Sequence, residues 1–203
     1  STTNSVFLVN SYCRLGGFQI THPSQVVTGT PTVYPAAITH APSGCSYIDI
    51  SNVRFYNAYD GIVIGSATVG CSNVNIDDID GFPLHDGIVI DSCVDKLRIG
   101  RVTFNVNLVG SIYGPGNTIP GWTIQNGSAI RLKRVDSADI YYPVIWGYDT
   151  GITLEAGAST GSANMITIHG PTLDLCRRPI RTINYQDGAT ILGGSITSLG
   201  TPV

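Results

Sequence analysis

The sequence predicts an all-β protein wound as a parallel β-solenoid. Three observations carry that prediction: sparse charge, an excess of turn residues, and an internal offset of 26 residues. Of 203 residues only 12% are charged, while Gly reaches 24 and Pro 11, with one Met and a single glutamate, Glu155. Helices need charged outer faces and tolerate Gly and Pro badly, whereas Val, Ile and Thr suit pleated strands. The length allows one good-sized core, so a single domain over 1–203 is expected.

The repeat is legible residue by residue. Tyr47–Phe55, followed by Asp60-Gly61-Ile62-Val63-Ile64, returns as Val74, Ile76 and Ile79 and then Asp86-Gly87-Ile88-Val89-Ile90. The offset is 26 from 48 to 74, 50 to 76, 53 to 79, 60 to 86 and 62 to 88. A third copy begins at Leu97–Phe104, but its second half, Ala129–Leu132, stands 42 residues beyond the second copy (88 to 130). The surplus falls on the Gly- and Pro-rich stretch 107–126, expected to be an inserted loop. Gly151–Leu154 and Pro179–Thr182 continue the series, with Ile166–Ile168 and Ala189–Ile191 as the first strands of the last two turns.

A coil of this length buries alternate residues in a shared interior and hydrogen-bonds to the coils above and below. Six to eight coils are expected, with Ile50, Ile76 and Ile99 in one interior column and Ile62, Ile88, Ile130 and Ile152 in another. An antiparallel sandwich would want a hairpin every 8 to 12 residues, roughly, and gives no reason for a constant offset.

A net charge of −3 with scattered basic residues lacks the footprint of a nucleic-acid binder. No apolar run approaches a membrane span, and Ser1 to Val9 lacks the pattern of a signal peptide, so any export signal lies outside the chain. The five cysteines show no metal-binding spacing; no metal or cofactor is expected. Cys45 and Cys71, again 26 apart, should stack on adjacent coils, as a reduced pair or a disulfide.

Gly17-Phe18-Gln19-Ile20-Thr21-His22-Pro23, Tyr34–Ile38, Gly81-Phe82-Pro83-Leu84 and Gly87–Asp91 resemble the right-handed parallel β-helix proteins of the pectate lyase superfamily, over about 15–199. The resemblance implies that fold, and a family range that includes polysaccharide lyases, glycoside hydrolases and trimeric bacteriophage tailspikes. It implies an extracellular or virion location, a polysaccharide partner and a homotrimer. Both ends read as uncovered coils, so the chain is expected to be a segment of a longer polypeptide.

Stacking turns sequence offsets into distances, at about 4.8 Å per coil. One outward column reads Gly65, Asp91, Lys133, Glu155 and Ile183; its neighbour reads Val63, Val89, Arg131, Thr153 and Arg181. Asp91 and Glu155, two coils or about 9–10 Å apart, are the candidate catalytic carboxylates of an inverting glycosidase. Lys133 between them would instead keep both ionised, which leaves a surface salt ladder as the alternative. By analogy with superfamily lyases, Arg131 or Arg181 would serve as base.

Trp122, Trp146 and Tyr148 are candidate substrate-binding residues with Arg131, Lys133 and Arg181, because flat aromatics stack on the apolar faces of sugars. The alternative for Trp146 is the interior or a subunit contact. Asp60 and Asp86 precede Gly and read as turn residues. Asp80 and Asp78 align with Arg54 and Arg101 as inter-coil ion pairs, and His22, His40, His85 and His169 read as loop or surface residues. The expected function is a carbohydrate-active, tailspike-like β-helix that binds a surface polysaccharide, with hydrolysis or elimination open. A structural or adhesive fibre segment is the alternative.

Overall fold

The computed structural model describes residues 4–26, 28–157, 161–184 and 188–199. The chain opens with β1 (Phe7–Val9) and β2 (Arg14–Ile20), then β3 (Ile38–His40) and the long β4 (Cys45–Phe55), then β5 (Ile62–Ile64) and β6 (Cys71–Gly81). The fourth coil is β7 (Asp86–Ile90), β8 (Cys93–Ile99) and β9 (Val102–Asn105), followed by α1 (Leu108–Tyr113) and α2 (Ile119–Asn126). Three further coils follow: β10 (Ser128–Leu132), β11 (Ala138–Tyr141) and β12 (Val144–Trp146); β13 (Thr150–Glu155), β14 (Ile166–His169) and β15 (Thr172–Cys176); β16 (Arg178–Ile183), β17 (Ala189–Leu192) and β18 (Ser195–Ser198).

All the ladders between these strands are parallel, and the seven coils, from first to last, span a β-solenoid of about six turns. One sheet runs β1-β3-β5-β7-β10-β13-β16. The second forks at β6, which pairs with both β8 and β9. One arm continues through β11, β14 and β17, the other through β12, β15 and β18. In β4 and β6 the corner between the arms is turned inside one strand at Asn52 (φ 53°) and Asp78 (φ 55°). Asn and Asp enter this left-handed region more readily than most residues, so the corner needs no loop.

The offset predicted the ladders. Ile50, Ile76 and Ile99 are register partners, as are Ile62, Ile88, Ile130 and Ile152, all without solvent contact. Arg54 pairs with Asp80 at 2.6 Å and Arg101 with Asp78 at 3.4 Å. Cys45 and Cys71 are register partners with free thiols, and Cys93 extends their column.

Phe55, Gly81 and Phe104 form another interior column. Phe104 lies against Tyr148, ring centroids 6.3 Å apart, and is wholly buried. Phe104→Ala is expected to lower stability by about 3–5 kcal/mol through lost burial and the cavity left behind. Urea denaturation checks this, and a change under about 1 kcal/mol would mean that the column is loosely packed.

The segment 107–126, expected as an inserted loop, carries two short helices. Pro120 sits in the first turn of α2, where its missing N–H costs no helical bond. Val109 and Ile119 enter the core, and the buried Thr123 hydroxyl donates to Leu84 O at 2.9 Å. These tertiary contacts hold helices too short to be stable alone.

Candidate functional site

On the outer face of the first sheet, β7, β10, β13 and β16 align Val89, Arg131, Thr153 and Arg181. One residue beyond the Ile90, Leu132 and Leu154 partners lie Asp91, Lys133 and Glu155. A polar cleft of about 160 Å³ opens here, lined among others by His85, Asp86, Arg131, Asp149, Glu155 and Arg181.

Its centre is Arg131. The guanidinium donates to Asp86 at 2.9 Å through one nitrogen and to Glu155 at 2.8 Å through another, while Lys133 Nζ stands 4.0 Å from Glu155. Each carboxylate side chain is 10% exposed and that of Arg131 28%. These are largely desolvated charges, for which losing one partner is costly. Arg181 has no ion pair among the described residues. Asp149 on the cleft wall is held by Arg177, at 3.3 Å, and Arg178.

Asp60 anchors the other side, accepting both the Asp86 backbone N–H at 3.0 Å and the His85 Nδ1–H at 2.8 Å. His85 Nδ1 is also 3.7 Å from Asp86. Burial pushes the Asp86 carboxyl above its ordinary pKa, and Arg131 and His85 offset this only in part. Burial alone would lower His85, yet the Asp60 hydrogen bond and the charges of Asp86 and Asp60 outweigh it, so His85 is raised. For Arg131 burial is likewise outweighed by Asp86 and Glu155.

Asp60, His85 and Asp86 bring one ligand atom each within 4.8 Å of one another, a set that could hold a metal ion. Arg131 already faces Asp86 with a positive charge, so the carboxylate is satisfied without one. Beside the cleft, Tyr59 and His85 stack at 4.8 Å, and Trp122 from α2 tilts towards both at 6.1 and 6.2 Å. The inserted helices thus deliver one of the two tryptophans to the cleft edge.

The structure separates several residues that the sequence grouped. Tyr148 is not a rim residue: it is wholly buried, and its hydroxyl donates to Pro83 O at 2.7 Å. Trp146 lies in β12 on the second sheet, half-buried, with its indole N–H on Asp174 at 3.0 Å. Asp91 is buried beside the Ser92 hydroxyl at 3.3 Å and does not line the cleft; Asp86 holds the place opposite Glu155. The charge ladder Asp91-Lys133-Glu155 is replaced by Asp86-Arg131-Glu155, with Lys133 at its side.

In the sequence Asp86 reads as a turn residue and His85 as a loop or surface residue. Asp60 sits in a bend and accepts the backbone N–H of Asp86 on the next coil, while the Asp86 carboxylate faces Arg131. The signal was present in the adjacent His85-Asp86 pair, one coil below an Arg in the outward column. Comparison with known proteins adds no family: no family model matches the chain, and no curated protein or solved structure matches it significantly.

Proposed function

We propose that this is a carbohydrate-active β-helix, tailspike-like in its setting, that binds an acidic surface polysaccharide along the first sheet and cleaves it in the Arg131 cleft. The observation that carries this reading is the pair of buried carboxylates, Asp86 and Glu155, joined by Arg131 beside the Tyr59-His85-Trp122 aromatic cluster. Two carboxyl groups facing one cleft are the arrangement that glycosidic cleavage uses. Asp86, raised by burial, keeps its proton to higher pH and serves as acid towards the glycosidic oxygen. Glu155, held by the Arg131 guanidinium at 2.8 Å, serves as base or nucleophile. Arg181 and Lys133 offer cations to a uronate or similar group, and Trp122 a face for a sugar ring.

The test is incubation with a panel of acidic bacterial and plant polysaccharides, following reducing ends and the ultraviolet absorbance of unsaturated products. Asp86→Asn and Glu155→Gln are each expected to lower turnover about 10²-fold or more with the circular dichroism unchanged. Because the acid must be protonated, the rate should fall as pH rises through the raised pKa of Asp86. Retention without cleavage would reduce the site to a binding surface, and neither retention nor cleavage across the panel would refute the reading in favour of a structural fibre. The same reading expects a homotrimer, to be checked by light scattering.

A further inference from the structure

A second, longer groove runs along the solenoid on another face. Three clefts of about 580, 320 and 300 Å³ adjoin one another along the outer side of β2, β4 and β6 and on to the β9-β12-β15 arm: the first two share Arg54 and Asp80, the last two Thr103. Their floor is one column in strict register, Gln19, Arg54, Asp80, Thr103, Val144 and Thr172. Five strand steps make it about 24 Å long. Helix α1 overhangs the middle with Leu108 and Ile112, and Trp146 stands at the far end, its ring fixed by Asp174.

We infer that this groove binds a linear, uncharged oligosaccharide, as a site separate from the Arg131 cleft and independent of the function proposed for it. Its charge is spent internally. Arg54, the one cation among the described lining residues, is taken by Asp80 through two 2.6 Å hydrogen bonds, while Asp78 pairs with Arg101 at 3.4 Å. What remains is amide and hydroxyl groups beside the exposed apolar side chains of Leu108, Ile112 and Val144 and one indole face, which offers no free cation to a polyanion and suits the hydroxyls and apolar ring faces of neutral sugars. A peptide strand finds no edge here, because the ladder hydrogen bonds of these strands run to the coils above and below. The rise of one coil, about 4.8 Å, is close to the length one pyranose adds to a linear chain, so each coil presents one side chain per sugar.

The two tryptophans report separately, Trp122 on the cleft and Trp146 on the groove. In Trp122→Phe protein, cellohexaose, xylohexaose and chitohexaose are titrated against fluorescence, with the matching disaccharides and polygalacturonate for comparison. At least one hexaose should shift the Trp146 emission and bind about tenfold or more tighter than its disaccharide, and polygalacturonate should leave the emission unchanged. Trp146→Ala and the groove-blocking Thr172→Arg should each weaken hexaose retention about tenfold or more. No response to any hexaose, no dependence on chain length, or retention indifferent to Thr172→Arg would overturn the inference. Failure of the cleft reading shows separately, as loss of acidic-polysaccharide binding measured in Trp146→Phe protein.

Discussion

Arg131→Met is expected to destabilise the protein by about 3–5 kcal/mol at neutral pH, because it removes the cation between two buried carboxylates while keeping most of the side chain's volume. The loss should shrink in acid. The folded pKa of Asp86 is already raised by burial above its unfolded value, and without Arg131 it must rise further. A carboxyl with a raised folded pKa contributes stability below its unfolded pKa and loses it as pH rises through the folded one. The variant therefore regains ground on lowering the pH through the raised pKa of Asp86. His85 shifts the same way, since Arg131 is one of the charges opposing its protonation. Urea denaturation at pH 7 and pH 4.5 decides the matter; equal deficits at the two values would show that the carboxylates are solvated and the cleft is not the desolvated site described.

Gly81→Ala should be comparably damaging for a steric reason. Gly81 has φ +117°, and a Cβ there would lie 1.9 Å from Phe55 O and 2.9 Å from Phe55 N. Both obstacles are backbone of the neighbouring coil, which cannot turn aside as a side chain would. The residue occupies the interior column between Phe55 and Phe104, where the missing side chain makes room for two rings. Backbone strain and overpacking together are expected to lower stability by about 2–6 kcal/mol. Thermal unfolding reads the effect, and an unchanged midpoint would mean that the ladder at β4 and β6 can widen freely. Gly121→Ala in α2, where a Cβ meets nothing within 4 Å, serves as control.

The candidate site was legible only in part. Arg131, Lys133, Glu155 and Arg181 could be placed on one face because strand alternation and a constant coil length convert sequence offsets into columns. Trp122 could be placed near them because the insertion that carries it directly precedes β10. Asp86 and His85 were missed because they sit at the strand entry, where alternation does not yet dictate direction, and Asp-Gly is ordinary turn chemistry. Tyr148 was read as a rim residue and Trp146 left open between rim and interior because the two straddle a corner. Two residues there separate the outer face of one sheet arm from the molecular interior.

What the sequence by itself determined is the ladder: which strands stack, in what register, and which isoleucines, cysteines and charged pairs stand above one another. Those are consequences of local periodicity repeated along the chain, and backbone hydrogen bonding between successive coils leaves little freedom once the period is set. Only the tertiary structure decided that the segment 107–126 folds as helices, that Asp86 rather than Asp91 faces Glu155, and that a second groove passes beneath α1. Each of these depends on how side chains at corners and insertions pack against residues tens of positions away, where burial and charge pairing act between coils and no local pattern records the outcome.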